Sequence, residues 1–359
     1  MADSLPSAAT KSRARRWLTV VVKLAVFAAI VWFVRGTLSR GLAELRQHPV
    51  EIDYGWLVVS GVIYVAGAAP AAWFWYRVLL TLGQQVTMWS ALRAHFIGHL
   101  GKYVPGKAMV IVLRSGLLRG RQLRVAVAAA AVFYETLTMM GVGAFLAATM
   151  LAIFVGDRGL SLLLIAVGLM IAATLPTLPP VFRRLAHLAG VARGDEAAEQ
   201  RLAVLGWGTM ALGWLANTIG WLLMTASLVA VLAALGVDSF AALNHWPRYL
   251  ATVTLSVVAG FLSLIPGGAG VREIVIMKLL AGEIGDGPAI VAAVLLRIVW
   301  LVSEVVVSVS YMYAGRLVAA IHPTRPTRRR TAAITCRQAL ALWQFPFSRR
   351  SPMYSDGSR

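Results

Sequence analysis

The chain has 359 residues, is 59% hydrophobic and only 14% charged, and has a mean hydropathy of +0.73. This composition excludes a soluble globular domain and predicts an integral membrane protein with several apolar helices. The formal net charge of +19 lies at the two ends and between the apolar runs, which favours membrane topology over nucleic-acid binding. A single cysteine, Cys336, excludes an intramolecular disulfide.

Long apolar runs recur along the chain. Those long enough to cross a bilayer as helices are residues 17–34, 56–80, 125–154, 159–179, 206–235 and 287–314. Two further runs, 91–113 and 248–283, are interrupted by proline and glycine. A bilayer tolerates freed backbone groups only where protein or a water-filled cavity satisfies them, so these two runs are predicted to be re-entrant broken helices.

The positions of the arginines orient these segments. We place the basic N-terminus (residues 1–16) in the cytoplasm and let the two broken segments enter the membrane from opposite sides. Every arginine-rich segment then falls on the cytoplasmic side. The sequence therefore predicts an all-α polytopic protein of the cytoplasmic (inner) membrane. It would have about six transmembrane helices, two oppositely oriented re-entrant helices and both termini in the cytoplasm.

The chain also divides into two similar halves. The spacing from Gly106 to Glu135 is within one residue of the spacing from Gly267 to Arg297, and each glycine follows a proline. An inverted-topology repeat would produce this match. We predict a transmembrane domain over residues 17–315, with halves at about 17–180 and 204–315, a polar linker at 181–203 and a basic cytoplasmic tail at 316–359.

Basic residues flank both breaks. A helix that restarts after Pro-Gly presents free N–H groups and the positive end of its dipole, which together favour an anion such as a lipid phosphate. The predicted phosphate-binding residues are Lys102, Pro105, Gly106, Lys107, Arg114, Pro266, Gly267, Gly268, Gly270 and Arg272. In the alternative interpretation these cations, with Lys278, extend to the interface as topology anchors, and Arg272-Glu273 is a local surface pair.

Ionisable residues also occur deep in the apolar runs. Glu135, Arg297 and Glu304 are predicted to pair or to face a wet cavity, because an ionised side chain facing lipid costs several kcal/mol. A Glu135–Arg297 contact between the halves is one hypothesis. Glu135, Glu273 and Glu304 are the candidates for proton coupling.

Two other patterns have a structural and a functional interpretation. Gly-Trp pairs at 206–207, 213–214 and 220–221 favour close helix packing over a lipid-lining aromatic stripe. His95 and His99 have the i, i+4 spacing of a metal pair, but Phe96 stands where a zincin has glutamate, so polar lining is favoured and no metal or cofactor is expected. The sequence contains no nucleotide-binding loop and no Gly-x-Ser-x-Gly elbow, so no enzymatic activity is expected.

Several of these motifs together resemble the transmembrane region of the lysylphosphatidylglycerol synthase/flippase family. The resemblance covers about residues 17–315. Its motifs are Phe74-Trp75-Tyr76-Arg77 with Leu82-Gly83, Tyr103-Val104-Pro105-Gly106-Lys107 with Arg114, Glu135, Leu264-Ile265-Pro266-Gly267-Gly268-Ala269-Gly270-Val271-Arg272-Glu273, and Leu296-Arg297.

The resemblance implies movement of phospholipids between leaflets. In bifunctional members a soluble aminoacyltransferase domain follows the membrane region, and too few residues follow the last predicted span here for us to expect that domain. The family often has arginine and aspartate soon after the glutamate, where this chain has Thr136, Thr138 and Met139, so the coupling role of Glu135 is in doubt.

Together these features predict a lipid translocase, passive or ion-coupled, whose cargo is an anionic, aminoacylated or polyprenyl-phosphate lipid. Its partners would be membrane lipids and not nucleic acid. In the alternative, the chain is a non-transporting membrane scaffold for a separately encoded lipid- or glycan-modifying enzyme, and the basic tail and the 181–203 linker are its functional surfaces.

Overall fold

A computed structural model of the chain describes residues 52–103, 108–118, 120–121, 124–155, 160–188, 196–237 and 244–321. The predicted first span (17–34), the centre of the first break (Pro105, Gly106 and Lys107) and the tail beyond 321 lie outside the described residues. The chain divides into two compact units, Met1–Val318 and Ala319–Arg359. The elements and contacts described below lie in the first unit, although the last helix extends slightly beyond it.

The described residues are almost entirely helical. In chain order the helices are α1 (Tyr54–Thr81), α2 (Met88–His99), α3 (Ala108–Leu117), α4 (Val125–Val155), α5 (Leu160–Thr174), α6 (Pro179–Leu188), α7 (Glu196–Ala203), α8 (Trp207–Ala234), α9 (Trp246–Leu262), α10 (Val271–Ile284) and α11 (Asp286–Ile321). Short 3₁₀ helices cover Leu100–Tyr103, Leu175–Thr177 and Pro266–Gly268. The two-residue strands β1 (Gln85–Val86) and β2 (Gly120–Arg121) pair antiparallel.

Four helices in the described part, α1, α4, α8 and α11, are long and apolar enough to cross a membrane. Large apolar side chains on their outer surfaces are exposed, for example Val62 on α1 and Leu215 on α8, as expected for contact with lipid tails. These helices confirm the predicted all-α polytopic membrane fold.

The predicted span at 159–179 differs from the structure. Helix α5 ends at Thr174, a 3₁₀ turn follows, and the chain bends by 66° into α6. Pro176 and Pro179 lack the N–H groups that a continuous helix needs at these positions, which explains the bend. The bent pair gives a fifth span only if its two parts are counted as one.

The described parts of the predicted polar linker at 181–203 are helical. The C-terminal part of α6 and all of α7 fall within it. Arg201 on α7 donates hydrogen bonds to the carbonyl oxygens of Leu82 (3.0 Å) and Gly83 (2.8 Å) at the end of α1. This linker residue therefore satisfies helix-end carbonyls of the first half.

Helices α1 and α8 pack against each other extensively. Their backbones approach closely at Gly67 and Gly220, since a Cβ on Gly220 would be 2.8 Å from the carbonyl oxygen of Gly67. Gly213 lies against the ring of Phe74. The glycines at 213 and 220 thus give the close packing that the Gly-Trp pattern favoured, because small residues let two helix backbones approach.

The same order of elements occurs twice. Helix α1 precedes a broken segment, α2 with its 3₁₀ turn and α3, and α4 follows it. Helix α8 precedes the second broken segment, α9 with its 3₁₀ turn and α10, and α11 follows. The two predicted interruptions therefore occupy equivalent places in the described fold.

Candidate functional site

The second break is a run of left-handed backbone. Leu264, Gly267, Gly268 and Gly270 have φ angles of 60°, 61°, 68° and 84°. Glycine adopts this region without a Cβ clash, whereas a leucine there is strained. The turn separates α9 from α10 and allows the chain to reverse between the two helices.

Glu273 holds this turn through both carboxylate oxygens. Its Oε2 accepts from the backbone N–H of Gly270, the N-cap of α10, at 2.7 Å. Its Oε1 lies 3.1 Å from Nε of Arg297 on α11. Arg297 in turn donates to the carbonyl oxygen of Gly267 at 2.8 Å. One partly buried ion pair thereby fixes both the helix start and the loop before it.

The two broken segments meet at this loop. Tyr103 ends the 3₁₀ turn of the first segment, and a Cβ built on Gly267 would lie 2.8 Å from its ring. The Arg297 guanidinium lies 6.0 Å from the centre of the same ring. The described end of the first break therefore packs directly on the second break.

Arg272 follows the loop and points into the protein. Its side chain is 8% exposed and lies in a groove beside Gly260 and Gly268, where added Cβ atoms would approach it to 2.7 and 2.9 Å. Its Nε is buried without a hydrogen-bond partner, and no carboxylate among the described residues is within ion-pair distance of its guanidinium. Arg272 is thus a buried cation whose charge no described carboxylate neutralises.

A second polar cluster lies beside this one. Glu304 on α11 accepts hydrogen bonds from the hydroxyl of Tyr64 on α1 and, at 2.5 Å, from Nζ of Lys102. Nζ of Lys102 also lies 2.9 Å from Nε2 of His99. The ion pair ties the first broken segment to α11.

A third pair is the most deeply buried. Arg114 on α3 and Glu135 on α4 are 2.6 Å apart, and their side chains are 3% and 2% exposed. The Arg114 guanidinium also approaches Nδ1 of His99 at 3.3 Å and the ring of Trp75 at 5.6 Å. This pair is locally neutral, so Arg114 already has its counter-ion.

A narrow cleft opens between α1, α2 and α11 beside these clusters. It is small, with about 20 Å³ of space for the centre of a water-sized sphere, enough for about one water molecule. Its lining residues are Tyr64, Val65, Ala68, His95, Phe96, His99, Ser303, Glu304 and Val307. Two polar atoms of its lining residues, Nδ1 of His95 and Oε2 of Glu304, are buried without a hydrogen-bond partner. Such atoms are normally satisfied by water or a ligand.

The structure gives partners to most of the predicted site residues. The hypothesis of a Glu135–Arg297 contact is wrong, because Glu135 pairs with Arg114 and Arg297 pairs with Glu273. The alternative that Arg272 and Glu273 form a local surface pair is also wrong. Arg272 is buried, and Glu273 instead accepts from the backbone N–H of Gly270 and pairs with Arg297. Lys102 points inward and not to the interface, whereas Lys278 is exposed.

Two tyrosines at the site were not anticipated from the sequence. Tyr64 lies in an ordinary apolar run with nothing to distinguish it, and only its contact with Glu304 reveals its place. Tyr103 directly precedes the Val-Pro-Gly of the first break, which was a usable signal. Among the described residues, no group of three histidine, cysteine or acidic side chains could hold a metal ion.

A comparison with family models identifies the family of the chain. The model of the family described as lysylphosphatidylglycerol synthase TM region matches residues 20–308, which include both breaks and all three ion pairs. A comparison with curated proteins gave no match.

Proposed function

Because the chain belongs to the lysylphosphatidylglycerol synthase transmembrane-region family and is a multi-pass membrane protein with a lipid-related function, we propose that it moves phosphate-bearing lipids between the leaflets of the cytoplasmic membrane. The cargo class is an anionic phospholipid, an aminoacylated lipid or a polyprenyl phosphate. Both termini would lie in the cytoplasm.

The observation that supports this proposal is the buried charge of Arg272, which no described carboxylate neutralises. Around the contact between the breaks, three cations (Lys102, Arg272 and Arg297) face two carboxylates (Glu273 and Glu304), which leaves one positive charge in excess. A buried guanidinium without a counter-ion is costly, and a phosphate is a ligand that its planar fork matches in charge and geometry.

The backbone beside Arg272 also favours a bound phosphate. Helix α10 begins directly before it, so the positive end of this helix dipole lies at the same place. Lys107, which lies outside the described residues, remains a predicted second contact from the first break.

The repeated order of helix, broken segment and helix provides a mechanism for moving the lipid. The contact of Tyr103 with Gly267 lies where the two broken segments face each other, as in transporters whose binding site sits between paired broken helices. Rocking one half against the other would expose the phosphate site to each leaflet in turn. Because no bond is made or broken, this function requires no catalytic residue.

The test is leaflet exchange in proteoliposomes that contain labelled anionic, zwitterionic or polyprenyl-phosphate lipids. We expect faster exchange of one phosphate-bearing class and a loss of about tenfold or more in Arg272→Ala, because a hydrogen bond to a charged group contributes about 1.5–3 kcal/mol. Arg272→Lys should lose less, since it keeps the charge but not the fork.

The control variant is Lys278→Ala, which removes an exposed charge from the same helix. It should exchange lipid like the unmodified protein. Undiminished exchange in Arg272→Ala would remove the assigned site. No exchange of any lipid by the unmodified protein, with or without an imposed ion gradient, would favour the scaffold alternative.

A further inference from the structure

His99 lies between two side chains that can only donate hydrogen bonds. On one side the Arg114 guanidinium is 3.3 Å from its Nδ1, and on the other the Lys102 ammonium nitrogen is 2.9 Å from its Nε2. Arginine and charged lysine have no acceptor. A neutral imidazole has one donor nitrogen and one acceptor nitrogen.

These hydrogen-bonding capacities conflict while Lys102 is charged. If Nδ1 of His99 accepts from Arg114, then Nε2–H points at the lysine ammonium. In the other tautomer Nε2 accepts from Lys102, but Nδ1–H points at Arg114. A protonated His99 would oppose donors on both sides. Each of these states leaves at least one pair of donors face to face.

Loss of one proton from Lys102 removes the conflict. Arg114 then donates to Nδ1 of His99, Nε2–H donates to the neutral amine of Lys102, and the amine donates to Glu304 at 2.5 Å. The bonds form one continuous chain from α3 to α11. With the proton present, Lys102 instead pairs with Glu304 as an ammonium, and His99 opposes a donor at either Lys102 or Arg114.

From this arrangement we propose that His99, Lys102 and Glu304 form a proton-binding site that couples lipid movement to proton movement. The coupling part of this inference rests on the proposed function. The binding part rests only on the geometry of the three side chains.

The cleft places space for about one water molecule beside the site. Oε2 of Glu304 is buried, lacks a partner and belongs to the lining of the cleft, as does Nδ1 of His95. Glu304 and His95 are 7% and 3% exposed. Because their unpaired atoms are buried, they require a hydrogen-bond partner, and water is the smallest molecule that can provide one. Water held there would connect Glu304 to the cleft opening.

Other charged and titratable groups surround the site on every side. They are Tyr64 from α1, His95 from α2, Tyr103 beside Lys102, Arg114 with its partner Glu135 from α3 and α4, Arg272 from α10, and Arg297 with its partner Glu273. Arg272 carries the unneutralised charge in this set. A phosphate bound there would favour the charged form of Lys102, which links the two ligands.

The protonation state of Lys102 also sets the strength of the contact between the first broken segment and α11. Lys102 belongs to the first broken segment and Glu304 to α11, so their ion pair ties one to the other. Releasing the proton replaces an ion pair by a hydrogen bond from a neutral amine to the carboxylate, which is weaker because the attraction between opposite charges is lost. The first broken segment is then freer to move relative to α11.

The binding part is tested by nitrogen NMR of histidine in ¹⁵N-labelled, unmodified protein in lipid nanodiscs. We expect one histidine, absent from the spectrum of His99→Gln, to change its Nδ1 and Nε2 shifts together between about pH 5 and 9. The change should be lost in Lys102→Met. A His99 signal that stays constant over this range would overturn the site, whatever the transport result.

The coupling part is tested in vesicles with a trapped pH indicator and labelled anionic lipid. The unmodified protein should exchange lipid faster when a proton gradient is imposed, by about threefold or more, a ratio that about 0.6 kcal/mol of coupling would produce. Glu304→Gln should lose this acceleration. The control His187→Gln, which changes an exposed histidine of α6, should keep it.

The two hypotheses fail in different ways. Lipid exchange that responds equally to the gradient in Glu304→Gln and in the unmodified protein would overturn the coupling but leave the translocase intact. A pH-dependent His99 signal in a protein that exchanges no lipid would overturn the translocase but leave the proton site intact.

Discussion

The ring of Tyr103 lies directly on the backbone of Gly267, so the ends of two segments far apart in sequence share one contact. Each residue borders a break in an apolar helix. The contact brings Lys102, beside Tyr103, and Arg272, beyond the Gly-rich turn, into one buried polar region. The geometry of the proposed site thus depends on a tyrosine and a glycine that bear no charge.

Replacing Gly267 by alanine should destabilise the protein. Its φ of 61° costs an L-residue about 1–2 kcal/mol, and the new Cβ would lie 2.8 Å from the Tyr103 ring. We expect a lower thermal unfolding midpoint of the purified protein in detergent. The double variant with Tyr103→Ala should recover the part that comes from the clash. Equal midpoints for Gly267→Ala and the unmodified protein would show that the ring is not held against this loop.

Removing one partner of the Arg114–Glu135 pair should cost more than removing both. Glu135→Leu would leave a buried guanidinium without a counter-ion, at about 3–5 kcal/mol. The double variant Arg114→Met with Glu135→Leu restores neutrality and should be more stable than the single variant. Chemical unfolding in detergent measures the difference. A double variant less stable than either single one would contradict this view of the pair.

Glu273 makes two interactions that can be separated by substitution. Glu273→Gln can still cap Gly270 but loses the ion pair with Arg297, whereas Glu273→Ala loses both. The alanine variant should therefore be less stable than the glutamine variant by about 0.5–2 kcal/mol, the range for loss of a helix cap. Comparison of their unfolding midpoints tests this order, and equal midpoints would mean that the cap does not contribute.

Two glycines of α8 should respond differently to alanine. In Gly220→Ala the new Cβ would lie 2.8 Å from the backbone oxygen of Gly67, so α1 and α8 must separate, at about 1–3 kcal/mol. Gly208→Ala is the matched control, because nothing lies within 4 Å of its Cβ position and alanine favours the helix. If both variants unfold at the same temperature, the α1–α8 contact is looser than described.

The sequence by itself determined the class of fold and the places of the breaks. Hydropathy identified α1, α4, α8 and α11 because each must supply a long apolar surface to lipid. Proline and glycine identified the second break because their backbone preferences are local properties of the chain. The sequence motifs, including the stretch around Arg272, likewise indicated the family.

Only the tertiary structure decided which charges meet. Glu135, Arg297 and Glu304 were recognised as requiring partners, but the sequence does not specify which side chain reaches which carboxylate. Those distances depend on how the helices pack and on which faces turn inward, and the low amphipathicity of apolar membrane helices gives little indication of either. For the same reason, only the three-dimensional structure shows that Arg272 lacks a neutralising carboxylate and that His99 lies between two cations.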